Sequence, residues 1–412
     1  MHLILGEKKL HMIFKSEGIN KISNLKILHL ISSIDPAGGG PIEGIKQLSK
    51  NFKKYNVEVT VCACDSPSAE YVIKKDYFFN LNVFGKTRFK YAFNIKELIW
   101  VFKNIKNYDL IIVNGLWDFG GVIALIASII FKTEYYVFSH GMLGPWFRKN
   151  NFFKNLKKNI YWKLLQYHIC KHAAGVVFTC KEEMIDARKS FSPYRVNECI
   201  VNYGVDSAPV NKEYLKSKFF NCYPNLRNKR LIVFLGRIHT TKACDLLIEA
   251  FSQIIDADNR LHLVMVGPDS MDWIAQLNDK AISLGIVDRI SWLGMLTGDM
   301  KWASLYSAEV FCLPSHHENF GIAVAEALAC GKLVLISNGV NIWEKIVESN
   351  AGFVSQPTIE GIKDNFRRWL SLSEDDFQVM SENALSCFNK NFYIDGANES
   401  LLKLFLENKE MS

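Results

Sequence analysis

No two of the ten cysteines in this 412-residue chain form a C-x-x-C pair; the closest neighbours are Cys62 and Cys64. Scattered single thiols in a chain this long fit a reducing compartment and argue against a disulfide frame or a cysteine-based zinc site. Long apolar runs are missing too. The longest, Gly120 to Phe131, falls far short of the ~20 residues that span a bilayer and reads as a buried helix. No G-x-x-x-x-G-K-[ST] loop occurs, because Gly331-Lys332 sits between a helical and a strand-like segment, the wrong context for a phosphate loop. Residues 1–24 carry Glu7, Lys8 and Lys9 inside their apolar stretch and have no small-residue cleavage site, which argues against a signal peptide. They read as an N-terminal extension, and a cytoplasmic protein is expected.

What is present describes a globular protein. The chain is 49% hydrophobic and 22% charged, and its length exceeds what one core usually serves, so two domains are expected. The net charge of +7 is unevenly spread. Residues 1–205 hold 29 Lys and Arg against 16 Asp and Glu, and the remainder hold 20 against 26. A basic first half suggests an anionic partner there: nucleic acid, a membrane surface or a phosphorylated acceptor.

Strand-like runs alternate with helix-like stretches throughout, the mark of parallel α/β layers. The spacing predicts strands at Lys26–Ile31, Val57–Cys64, Asp109–Asn114, Glu134–Ser139 and Gly175–Cys180 in the first half. In the second half it predicts Arg230–Leu235, Arg260–Val266, Arg289–Leu293, Glu309–Leu313 and Lys332–Ile336. A polar stretch with Pro209 and Pro224 interrupts the alternation. The expected division is an extension at 1–24, one doubly wound domain at 25–205, a linker at 206–228, a second such domain at 229–390, and a closing segment at 391–412. Its helix, Gly396–Asn408, is placed as packing back on the first domain. Ligands of open parallel sheets sit beyond the carboxyl ends of the strands. That rule singles out the loops Asp35–Pro41, Asn114–Gly120, His140–Pro145, Gly236–Lys242, Gly267–Ser270, Gly294–Asp299 and Pro314–Gly321.

The segment Pro314–Gly331, PSHHENFGIAVAEALACG, carries the strongest signal. A strand ends, a polar loop follows, and a helix starts near Gly321 that is apolar except for Glu326. A lone carboxylate on a buried helix is costly unless something satisfies it. Glu318 stands at the mouth of that helix. Between the two glutamates, the amides of Asn319, Phe320 and Gly321 and the positive end of the helix dipole can hold an anion or sugar hydroxyls. The alternative is a solvated Glu318 and a Glu326 paired with a lysine.

This segment resembles the E-x7-E signature of the retaining glycosyltransferases of family 4, which have the GT-B fold. GRIHTTKACDLLIEAF (236–251) is similar to the phosphate-binding stretch of that family, with Arg237 and Lys242 at the matching places. Weaker motifs at Gly38–Gly40, His140-Gly141 and Asn202–Asp206 occur in the expected order. The resemblance implies two Rossmann-like domains facing each other across a cleft, and transfer of a sugar from a UDP- or GDP-linked donor to a glycan or lipid-linked acceptor. Cell-surface polysaccharide or lipopolysaccharide assembly is the implied setting. Arg237 and Lys242 would neutralise the donor diphosphate and the charge developing on the leaving group. Glu326 would bind the ribose, Glu318 with the Asn319–Gly321 amides would hold the transferred sugar, and His140 would touch that sugar near its reacting carbon. Asn319 departs from the small residue the family more often has, which leaves the sugar open.

Read without the family, Arg237 and Lys242 are charges on a strand-to-helix loop, and His140 is a histidine capping the next loop. The loop around Gly39 and Gly40 lets backbone approach a phosphate or sugar closely. As a dinucleotide fingerprint it lacks a well-placed acid, the first after the next strand being Asp65. Asp256-Ala257-Asp258 lies at the wrong end of the sheet for a ligand, and His316-His317 lacks the i, i+4 spacing of a helical metal pair. No metal and no other cofactor is expected. The rivals are another GT-B activity, a phosphorylase or nucleotide-sugar epimerase, and a basic nucleic-acid-binding protein. The last leaves both glutamates and Arg237 unexplained, so no nucleic-acid partner is expected.

From Trp146 to His172 the chain has no acidic residue. Phe153, Leu156, Ile160, Leu164 and Tyr167 follow helical spacing, beside a basic set of Arg148, Lys149, Lys154, Lys157 and Lys158. Basic and apolar residues on one helix suit a peripheral contact with an anionic leaflet, here the inner face of the cytoplasmic membrane. The alternative is a helix of the first domain with a solvated basic face, which Trp162 and Leu165, off the stripe, would favour.

Overall fold

The structure, a computed structural model, describes residues 24–74, 77–87, 91–144, 152–201, 203–269 and 272–411. They divide into two compact units. One takes the chain through residue 202 together with 394 onward, and the other takes 203–393.

The first unit is built on seven parallel strands: β1 (Lys26–Ile31), β2 (Glu58–Ala63), β3 (Asn80–Val83), β4 (Leu110–Asn114), β5 (Glu134–Phe138), β6 (Gly175–Phe178) and β7 (Glu198–Ile200). Their order in the sheet is β3-β2-β1-β4-β5-β6-β7. The central strands bury both faces, which is why they read as unbroken Val, Ile and Leu runs. Ile27 stands opposite Val59 on one side and Leu110 on the other. The apolar run around Gly120 forms helix Phe119–Phe131, with Ile123, Ala124 and Ala127 buried against the sheet. The closing helix, Ile394–Met411, packs on helix Gly40–Phe52. It also sets Phe405 against Tyr136 of β5, ring centroids 4.9 Å apart, and pairs Asp395 with Lys54 at 3.0 Å.

The second unit holds β8 (Arg230–Leu235), β9 (Leu261–Val266), β10 (Ile290–Gly294), β11 (Val310–Leu313), β12 (Leu333–Ser337) and β13 (Gly352–Ser355). The order is β10-β9-β8-β11-β12-β13, all parallel. The sequence read as a linker at 206–228 is not irregular. It forms helix Lys212–Cys222, which buries Leu215 and Phe219 and packs on helix Gly298–Ser307. Strand order reverses between β1 and β4 in the first sheet and between β8 and β11 in the second. At such a switch point the loops leaving the two central strands diverge and open a crevice. In the second unit those loops carry Arg237, Lys242 and Glu318.

Candidate active site

In the second unit the chain leaves β8 through Gly236, exposes Arg237, and makes one short turn, Thr240–Lys242, before helix Cys244–Ser252. The His239 ring caps that turn by accepting from the Thr241 amide. The loop after β11 comes alongside. The His316 amide donates to the Thr241 carbonyl at 2.9 Å, and the Glu318 amide donates to the Gly339 carbonyl at 2.8 Å. These bonds bring the Lys242 ammonium onto the Glu318 carboxylate, with side chains only 12% and 21% exposed. Burial and the nearby Arg237 guanidinium pull Lys242 down to about 8, while the carboxylate against it favours the charged form. Two cations and a carboxylate thus converge at the switch point.

Gly321 follows with φ of +77° and caps helix Ile322–Ala329. A Cβ there would stand 3.2 to 3.4 Å from Val340, Val324 and Glu318, so only glycine takes this left-handed turn without strain. The first amides of the helix point out of its N-terminal end, beside Glu318. Phe320 contributes backbone alone, because its ring is buried edge-on against Tyr203 and Phe392. Asn319 is half-buried. Glu326 is buried inside the helix, and Lys301 of helix Gly298–Ser307 meets its carboxylate at 2.5 Å. The structure therefore joins Arg237, Lys242 and Glu318, and gives Glu326 the lysine partner of the alternative reading. No spacing in the sequence points to Lys301, which lies 25 residues away on another helix.

In the first unit His140 follows β5 with φ of +46°, and Gly141 follows with +74°. Burial lowers the imidazole to about 4, the neutral form at ordinary pH, and its Nε2 has no hydrogen-bond partner among the described residues. The buried Glu183 carboxylate, unremarked in the sequence, bonds the residues on either side of His140. Its place just inside the helix after β6 was the available clue. The loop after β1 turns at Gly39, φ +82°, into helix Gly40–Phe52, with Gly38 and Gly40 exposed. Asp65 does not await a ribose. Its carboxylate accepts from the Ser33 hydroxyl at 2.6 Å, the Ile34 amide at 2.7 Å and the Tyr71 hydroxyl at 3.0 Å, so it holds the start of this loop.

Asp258 is bound by Arg230 and Arg260, whose guanidinium and backbone groups hold it well below the usual carboxylate range. In the basic segment, Arg148 and Lys149 lie outside the described residues, as does the side chain of Lys154. Lys157 is exposed, whereas Lys158 lies over the Trp117 ring, 5.3 Å from its centroid.

Residues 217–386 match the family model for Glycosyl transferases group 1. An uncharacterised glycosyltransferase of Methanocaldococcus jannaschii is 31% identical over 119 residues, 29% of this chain and 30% of that protein. A D-inositol 3-phosphate glycosyltransferase of Mycobacteroides abscessus is 34% identical over 150 residues, 35% of this chain and 31% of that protein. The chain thus spans less than a third of the length of these curated relatives. Anabaena HepE, solved in complex with UDP and glucose, has a TM-score of 0.77 at 18% identity, covering 93% of this chain and all of that one. Over residues 217–386 the chain is similar to the group 1 glycosyltransferases, and its two parallel Rossmann-like sheets are those of the GT-B fold.

Proposed function

We propose that the protein transfers a sugar from a UDP- or GDP-linked donor to a glycan or lipid-linked acceptor, with retention at the anomeric carbon and without a metal. The observation that carries this reading is the convergence of Arg237, Lys242 and Glu318 at the switch point of the sheet inside the matched segment. HepE, of the same fold, binds UDP and glucose, which supports a nucleotide-sugar donor.

The donor diphosphate takes Lys242 from Glu318 and meets Arg237, so two fixed cations face the oxygen on which charge develops as the glycosyl bond breaks. Glu318, released from the lysine, accepts from the sugar hydroxyls beside the amides at the mouth of helix Ile322–Ala329. Glu326, oriented by Lys301, takes the ribose. Glu318 is engaged with the sugar hydroxyls, and in the mechanism the family resemblance implies, the acceptor hydroxyl attacks from the face the phosphate leaves. The phosphate oxygen receives its proton. As the family resemblance implies, neutral His140 contacts the transferred sugar near its reacting carbon.

The acceptor side belongs to the first unit, and the setting is assembly of cell-surface polysaccharide or lipopolysaccharide at the inner face of the cytoplasmic membrane. None of the helices in the described residues is long and apolar enough to cross a membrane. Support for a peripheral contact comes from Leu156, Ile160 and Leu164, which are 48%, 52% and 74% exposed with Lys157 and Lys163 beside them.

Glu326→Gln is expected to weaken donor binding about tenfold or more by calorimetry, the scale of a lost hydrogen bond to a charged group. Glu318→Ala is expected to lower turnover at least as much as binding. Wild-type rates for both variants would overturn this reading.

A further inference from the structure

Glu183 lies on helix Lys181–Arg188 and is buried, 3% exposed. Four donors converge on its two oxygens. The Ser139 hydroxyl and the Gly141 amide, the latter at 2.7 Å, reach Oε1. The Thr179 amide at 2.8 Å and the Thr179 hydroxyl at 2.9 Å reach Oε2. Ser139 and Gly141 flank His140, which stands between them in the left-handed region with a side chain that disfavours it. One oxygen therefore pins both neighbours of a strained residue, and the other ties that oxygen to the end of β6. The imidazole so held packs near Phe138, ring centroids 5.8 Å apart, and keeps Nε2 unpartnered among the described residues.

We propose that Glu183 is the positioning residue of His140: its carboxylate clamps residues 139 and 141 and so sets the direction of the His140 ring. This rests on the proposed part of His140 in sugar transfer. The clamp requires a carboxylate. Two of the four donors, the amides of Gly141 and Thr179, sit on opposite oxygens and cannot accept. A glutamine, whichever way its amide turns, sets its NH2 group against one of them. The hydroxyls of Ser139 and Thr179 can reverse their role, but the amides cannot. A further titratable group, His29 of β1, interacts electrostatically with the His140 ring, and its Nδ1 pairs with the Asn114 amide at 3.1 Å. It is neutral, held to about 3 by burial, and supplies no charge to replace the clamp.

The test compares wild-type full chain with Glu183→Gln and Ser139→Ala by imidazole 15N NMR, the His140 signal being assigned by its loss in His140→Gln. In the wild type the signal is expected to stay neutral between about pH 5 and 8. In Glu183→Gln it is expected to shift and titrate closer to the usual value of ~6.5 as the ring swings toward water. Ser139→Ala, which keeps the Gly141 bond, gives a smaller shift and serves if Glu183→Gln fails to fold. Turnover in Glu183→Gln is expected to fall about 10²-fold, the scale of a mispositioned group, with donor KM unchanged and no further fall on adding His140→Ala. An unmoved His140 signal in folded Glu183→Gln and in Ser139→Ala would overturn the proposal. A moved signal with full turnover would keep Glu183 as the positioning residue and remove His140 from the transfer step.

Discussion

Lys242 shows what decides a site at the scale of one residue. A cation on a surface loop is ordinary, but one held at 12% exposure against a carboxylate and beside a guanidinium is maintained by contacts from two loops. Removing either cation should remove stabilisation of the leaving group, so Lys242→Ala and Arg237→Ala are each expected to lower kcat about 10² or more. Steady-state kinetics would read this, and a loss confined to KM would mean that they only anchor the ground state. Because Lys242 and Glu318 share one contact, the effects of Lys242→Ala and Glu318→Ala should be less than additive. Arg237, Lys242 and Glu318, which the structure brings together, stood out in the sequence because their loops leave predicted strands at the ligand end, whereas Glu326 lies within a helix and takes the lysine partner of the alternative reading. Lys301 and Glu183 were not. Each acts on a partner 25 to 44 residues away, and such pairings are fixed by tertiary packing, which periodicity does not encode.

At the scale of elements, the ten strands read from the sequence all occur, most of them a residue or two shorter. The three that were missed, β3, β7 and β13, end their sheets. NLNV and ECI are short and largely half-exposed, so they lack the unbroken apolar run that two buried faces require. Helix Lys212–Cys222 was hidden by its polar composition, although Leu215 and Phe219 keep helical spacing. The basic helix was read in nearly the right register. Helix Phe152–Tyr161 continues through a wider π turn, Trp162–Gln166, before Tyr167–His172. That turn rotates the later residues, so Tyr167 is buried while Leu164 projects, and Trp162 stacks on Phe191 at 4.9 Å. If the remaining face meets a leaflet, Lys157→Glu with Lys163→Glu should abolish sedimentation with anionic vesicles at low salt and leave donor binding unchanged. Wild-type protein that ignores such vesicles would remove the membrane from the account and point to a soluble acceptor.

At the scale of the molecule, the charge difference between the halves follows the division into units. The family match lies in the less basic unit. The chain leaves its first unit at residue 202 and returns at 394, so truncation at the end of the second unit would strip Phe405 from Tyr136. Binding experiments therefore need the full chain. The central claim is that the second unit holds a nucleotide sugar, and thermal denaturation with a panel of UDP-, GDP- and ADP-sugars tests it most directly. A ligand that binds only the folded state at about 100 times its Kd adds ~2.7 kcal/mol of stability. At least one donor is expected to raise Tm without added metal, and Glu326→Gln is expected to shrink that rise. A folded wild-type protein whose Tm no donor shifts, with or without a divalent metal, would contradict the account.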